Sequence, residues 1–338
     1  MAEATENKPK VIVPEWAHEI KRKYLSQNVS QFILHGNIND YVPVERDGQN
    51  RYYRIREFLN QEMFKYKDIV IYFDRAAGIR FRDDRTFGGD SASRKEFVAT
   101  LKLFDELTDN NFSDLNRNPA RSFFVLDTYF NLMINRDFID SWFKEVDEHL
   151  GKEESDADYE FEEEDLIDRF MRRTLGEFDQ DAKKRKASLK SLKNRLDKLK
   201  EKLAEPKSIA FVIDYAETLI PAGDPSSTRA EENMLLVFMQ KWAKEKKFLE
   251  ADLTIAVLTE SITTINQQYV RNPYTHDISI SYPEETDRLK FIQWFFTQHE
   301  GSQELFEMSD EVLAKNTAGL GLVQLDIIMS EAARNKLP

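Results

Sequence analysis

The sequence predicts an α/β fold: a mostly parallel sheet flanked by helices, followed by a smaller helical subdomain. Three observations carry this. First, short runs of β-branched and aromatic residues recur along the chain as buried-strand patterns: FILH (32–35), DIVIYF (68–73), SFFVLD (122–127), SIAFVID (208–214), LTIAVL (253–258) and DISISY (277–282). Second, helical patterns separate these runs, and such alternation is how parallel sheets are connected. Third, the pattern turns wholly helical after Pro283.

Element by element, residues 1–13 read as a polar, disordered tail. From Pro14, Trp16, Ile20 and Tyr24 recur every four residues, the stripe of an amphipathic helix. The strand runs and their helices then continue to Pro283 as one α/β domain, 14–283, with a charged insertion over 145–206. In the helical part, 284–338, one helix holds Leu289, Phe291, Ile292, Trp294, Phe295 and Phe296. A second starts after Ser309, a side chain suited to capping, and a third holds Leu325, Ile328, Met329 and Ala332.

The insertion is acidic over 145–168 and basic over 183–202. Leu189, Leu192, Leu196, Leu199 and Leu203 follow a 3-4-3-4 spacing, and the same register reaches back through Ala182 and Phe178 to Leu175, with Arg185 as a break. That is a coiled-coil seam. The stripe from Leu175 to Leu203 requires a cover. The upstream helix with Phe138, Ile139, Trp142, Phe143, Val146 and Leu150 returns along part of it as a hairpin, and a second copy or a protein partner covers the remainder.

Composition narrows the function. The chain has 338 residues, 41% of them hydrophobic, enough for a substantial core. A net charge of −13 argues against a general nucleic-acid binder, whose affinity comes from neutralising phosphates. Without cysteine there is neither a disulfide nor a thiol nucleophile, and the five histidines show no metal-ligand spacing. No run approaches the roughly 18 apolar residues of a membrane span. The polar N-terminus lacks a signal peptide's apolar stretch, and the expected location is the cytoplasm.

Two constellations bear on chemistry. QFILHGNINDYVP (31–43) starts as a phosphate-binding loop does, with a strand running into a glycine. A working loop needs G-x-x-x-x-G-K-S/T, so that amides wrap the phosphates, the lysine reaches them and the hydroxyl holds Mg²⁺. Counting from Gly36, those last three positions are Tyr41, Val42 and Pro43. Proline has no N–H to offer and valine carries no charge. Gly36, Asn37, Ile38, Asn39 and Asp40 are what remains of the loop. Separately, three runs end in an acid: Asp74, Asp127 and Asp214. Acids at the C-terminal ends of parallel strands either hold a metal, as in a metal-dependent nuclease, or cap the turn beyond the strand.

In order along the chain, further segments resemble AAA+ ATPase motifs. IAFVIDYAE (209–217) resembles a Walker B element, with Asp214 as the Mg²⁺ ligand and the water-polarising acid displaced to Glu217. LTIAVLTES (253–261) is similar to a sensor-1 strand, with Glu260 in place of the usual amide. VRNPYTHDISISYPEETDRLKFIQWF (270–295) sets Arg271 near the arginine-finger position, and Pro283 and Arg288 where the sheet gives way to the lid. SDEVLAKNTAGLGLVQLDIIMSEAAR (309–334) resembles the lid, with Leu322 and Val323 replacing a small or polar pair and no sensor-2 arginine. The N-terminal string, together with Asp74, Gly78 and Phe81, looks like the degenerate first AAA+ domain of bacterial tandem-domain ATPases.

The resemblance implies a five-stranded parallel sheet with a helical lid, a ring-like oligomer or pairing with an intact AAA+ domain, and either a fragment of a longer chain or a stand-alone relative. It implies that the module lacks hydrolysis and no cofactor is expected. The alternative is ATP and Mg²⁺ held by the altered loop and Asp214, with Glu217 as base.

Overall fold

The computed structural model describes residues 11–26, 29–84, 91–107, 111–134, 140–141, 143–144, 147–148, 182–223 and 229–335. Residues 1–10, most of the acidic stretch, Leu175, Phe178, residues 85–90 and 224–228 lie outside the described residues.

From the N-terminus come β1 (Val11–Ile12), α1 (Glu15–Leu25), β2 (Gln31–Gly36), β3 (Tyr41–Arg46), β4 (Gln49–Arg54) and α2 (Ile55–Phe58), which runs on as a π-helical turn (Leu59–Met63). Next are β5 (Ile69–Asp74), β6 (Gly78–Phe81), α3 (Ala92–Asp105), α4 (Pro119–Ile134), α5 (Ala182–Lys202), β7 (Ile209–Ile213), α6 (Ala230–Lys244), α7 (Lys246–Glu250), β8 (Leu253–Thr259), α8 (Gln267–Val270) and β9 (Thr275–Ile280). The last three helices are α9 (Glu285–Gln298), α10 (Asp310–Asn316) and α11 (Leu322–Asn335).

The main sheet has the order β6-β5-β7-β8-β2-β9. Five of its strands are parallel, and only β6 runs antiparallel, folding back on β5 through Gly78 (φ 71°). Alternate residues feed two cores. Ile71, Phe73, Phe211, Ile213 and Val257 face one side with α3, α4 and α6; Val70, Tyr72, Val212, Leu258 and Leu34 face the other with α1 and α2. Both faces are covered, which is why the strands read as continuous apolar runs.

The structure overturns one strand assignment. SFFVLD lies inside α4, a 16-residue helix. Its less-buried face carries an apolar residue too, the half-exposed Phe124, so a short window shows no amphipathic period. The start signal was present nonetheless: the Asn118 carboxamide oxygen accepts from Arg121 N–H at 2.9 Å, and Pro119 occupies the first helical position. Likewise Val11 and Ile12 are not tail, for they pair with Arg46 and Glu45 of β3.

In the described part of the arm, Leu192, Leu196 and Leu199 are 0% exposed and join the sheet domain's own core, with α3 alongside. Lys200 Nζ meets Asp140 at 3.0 Å and Lys193 pairs with Asp147. As one number falls the other rises, so the described residues between Asp140 and Asp147 run antiparallel to α5. Lys200 also lies 4.5 Å from the centre of the Phe143 ring. Here the stripe is covered from within the chain.

The helical subdomain has a separate core of Phe291, Ile292, Phe295, Leu313, Leu325 and Met329. Ser309 caps α10 by accepting from Val312 N–H at 3.4 Å. Arg288, 5% exposed, is structural: its Nε donates to Ala314 O at 2.9 Å and its Nη1 to Pro283 O at 2.7 Å.

Candidate functional site

The parallel register sets Asp74, Asp214, Glu260 and Gly36 in one row at the C-terminal edge of the sheet, where α/β folds bind ligands. Gly36 ends β2 at φ 94°, a left-handed conformation, and a side chain there would meet Ile280 O at 2.6 Å. The chain beyond Gly36 does not enter a helix. Tyr41, Val42 and Pro43 enter β3, which turns at Asp47–Gly48 (φ 53° and 78°) into β4. An Asp-Gly pair between two strand-like runs is the strongest short hairpin signal, and it would have found this element from sequence. A phosphate-binding helix N-terminus therefore does not form here.

The first three amides of the loop are already bonded. Gly36 N–H donates to Glu260 O (3.1 Å), Asn37 N–H to Ile280 O (2.9 Å) and Ile38 N–H to Gly36 O (2.8 Å). Asn39 Nδ2 donates to Glu260 Oε1 at 2.6 Å. Asp40, 5% exposed, accepts from Asn37 Nδ2 (2.7 Å) and Tyr41 N–H (2.9 Å), and reaches across to the lid. There it accepts from Leu322 N–H at 2.9 Å and Val323 N–H at 2.7 Å. The carboxylate is the anion that the N-terminus of α11 binds. Leu322 and Val323 thus contribute through their backbones, and Gly321 permits the approach, since a Cβ there would lie 2.8 Å from Asp40 Oδ2.

The hairpin also grips the lid by its aromatic side chains. Tyr41 stacks on Phe291 (5.9 Å between centroids) and donates to Asp326 Oδ2 at 2.9 Å; Tyr52 meets Phe291 edge-on (4.9 Å) and Trp294 (4.8 Å). Burial, then the Asp326 hydrogen bond and charge, raise the Tyr41 pKa.

Two of the row's acids, Asp214 and Asp74, are neutralised by arginines. Asp214 pairs with Arg56 and accepts from Tyr215 N–H at 3.1 Å. Asp74 pairs with Arg80 and accepts from Ala76 N–H (3.0 Å) and Ala77 N–H (2.7 Å), capping the turn into β6. Burial, then the nearby Arg80 charge, lower the Arg56 pKa. Glu217 accepts from Thr259 Oγ1 at 2.9 Å, tying the ends of β7 and β8. Tyr215, half exposed, takes a left-handed conformation at φ 52° and ψ 48°.

Two candidates stand apart. Asp127, in α4, accepts from Lys241 Nζ (3.0 and 2.8 Å) and Trp242 Nε1 (2.8 Å). It is no strand-end acid, so the three-aspartate metal site is not assembled. Among the described residues no group of three His, Cys, Asp or Glu is placed to hold a metal. Arg271 is exposed, four residues before β9 begins, at the sheet's opposite edge; its neighbour Tyr269 donates to Gln31 Oε1 at 2.6 Å, at the start of β2.

A family model described as "AAA+ chaperone, N-terminal Rossmann-like domain" matches residues 7–281. The chain belongs to the AAA+ chaperone family. A second model, "AAA+ chaperone, second helical domain", matches residues 286–338. These matched segments hold the sheet domain and the separate helical core of α9 to α11. No curated protein matches the chain. Among the described residues of this AAA+ chaperone chain, no helix is long and apolar enough to cross a membrane.

Proposed function

We propose that this chain is a non-hydrolysing AAA+ module, active in the cytoplasm as part of an ATP-driven protein-remodelling assembly. It contributes shape and interfaces while an intact AAA+ domain supplies hydrolysis. The observation that carries this reading is Asp40. An internal carboxylate bonds the α11 N-terminus, and the amides of Gly36, Asn37 and Ile38 are all satisfied within the protein. A nucleotide would have to displace several charge-assisted hydrogen bonds, each worth about 1.5–3 kcal/mol, and would bring its own negative charge against Asp40 and Glu260.

Arg271, exposed and remote from the row of strand ends, suits a contact to a neighbouring subunit in a ring-like oligomer. The arm is the second interface. Its stretch around Leu175 docks a protein partner or another subunit, while Leu192, Leu196 and Leu199 are committed to the core. Calorimetric titration of the chain with ATP and Mg²⁺ tests the reading. No heat of binding at high micromolar nucleotide is the expected outcome. Saturable binding that weakens on Asp214→Ala would falsify it. The assembly role is read from Arg271→Ala, which should weaken oligomerisation or a partner's ATPase activity.

A further inference from the structure

A cleft of about 530 Å³ opens beside the hairpin, within the roughly 300–1,000 Å³ typical of ligand sites. Its walls come from four parts of the chain: the segment entering α1, the β3–β4 hairpin, the exit of β9 and the lid. Trp16, Tyr41, Tyr52 and Tyr282 supply aromatic surface. Trp16 is held edge-on to Phe58 at 5.2 Å, and Tyr52 is clamped by Phe291 and Trp294, so these walls are preformed.

The charge lining the cleft is one-sided. Glu15, Glu19, Asp40, Glu45 and Asp287 border it, against the single ammonium of Lys290. Four of these acids have partners. Glu15 meets Arg22 at 2.9 Å, Glu19 meets His276 at 2.8 Å, Asp40 holds the lid, and Asp287 accepts from Glu284 N–H at 3.0 Å. Glu45 has no side-chain partner among the described residues. A cleft of this kind repels phosphates. It suits a compact organic cation, whose charge lies over aromatic faces and is drawn to a carboxylate.

We infer that this cleft binds an alkyl ammonium or guanidinium group, with Glu45 as the counter-charge and Trp16, Tyr52 and Tyr282 as its aromatic walls. The group comes either from a free diamine or guanidine or from a lysine or arginine side chain of a partner peptide.

The test is calorimetric titration of the full chain with agmatine and, separately, with an acetylated and amidated Gly-Arg-Gly peptide, each repeated on Glu45→Gln. Saturable binding that weakens about fivefold in the variant and falls with added salt is the expected result. Tighter agmatine binding identifies a free cation, and tighter peptide binding identifies a side chain of a partner. Absence of binding by both probes, binding unchanged in Glu45→Gln, or displacement of agmatine by ATP would overturn the inference. The ATP titration of the wild-type chain without agmatine is read independently, so a failure here leaves the reading of the phosphate site standing.

Discussion

The Asp40 carboxylate accepts from Leu322 N–H at 2.9 Å and from Val323 N–H at 2.7 Å, joining the loop after β2 to the first turn of the last helix. One side chain thus fills the anion position at the α11 N-terminus and fastens the lid to the sheet domain.

Asp40→Ala removes this clamp and leaves two helix-end amides without their partner. The expected cost is about 2–3 kcal/mol in urea unfolding, with loss of near-ultraviolet circular dichroism from the Tyr41, Tyr52 and Trp294 cluster. Gly321→Ala attacks the same contact from the other side and should cost about 1–2 kcal/mol, because its Cβ would lie 2.8 Å from the carboxylate. If Asp40→Ala is as stable as wild type, the clamp has no energetic role.

Restoring the lysine of a phosphate loop should fail. Val42 is 4% exposed and packs within the β3–β4 hairpin. Val42→Lys therefore buries an unpaired ammonium, with an expected loss of about 3 kcal/mol or more and no gain of ATP binding by calorimetry. A stable, ATP-binding variant would show that the hairpin can revert to a loop.

Arg56 and Asp214 form a pair at the end of β7. Arg56→Ala strands a carboxylate that is only 6% exposed, and should destabilise by about 2–3 kcal/mol. Adding Asp214→Asn should recover part of the loss, giving a coupling of about 1 kcal/mol or more in a double-mutant cycle. Additive effects would mean that the two side chains act separately.

Asp84 sets an acid sensitivity. Burial alone would raise its pKa, but hydrogen bonds from Arg94, Ser91 and Phe81 N–H, with the Arg94 charge, hold it below the usual carboxylate range. With the folded pKa below the unfolded value near ~3.9, the unfolded chain binds more protons. The contribution is therefore fully present above the unfolded pKa and is lost as pH falls through the folded one. Urea midpoints measured downward from about pH 6 should fall less steeply in Asp84→Asn than in wild type.

In the arm, Leu196→Ala should cost about 2–5 kcal/mol, because that leucine is fully buried in the chain's own core. Lys193→Ala, at an exposed ion pair with Asp147, should leave the melting temperature close to that of wild type. Thermal melts of both variants decide whether this half of the stripe is core or a docking face; equal, small effects would return it to the surface.

Local pattern alone made much of the fold readable. The β2, β5, β7 and β8 runs were legible because strands covered on both faces must be apolar throughout, and the edge strand β9 because Ile278 and Ile280 alternate with exposed Asp277 and Ser279. The lid was legible from its periodicity and from the Ser309 cap. The sequence itself places Tyr41, Val42 and Pro43 where a phosphate loop carries glycine, lysine and a hydroxyl. The run from Ser122 to Asp127 was not legible, because the half-exposed face of this helix carries Phe124, and an unbroken apolar window looks like a buried strand. Which partners met was settled by the folded chain. Asp127 went to Lys241 and Trp242, Asp214 to Arg56, and Asp40 to a helix 282 residues further on. A carboxylate's role depends on the donors brought to it, and chain folding brings those donors from positions that no local spacing records.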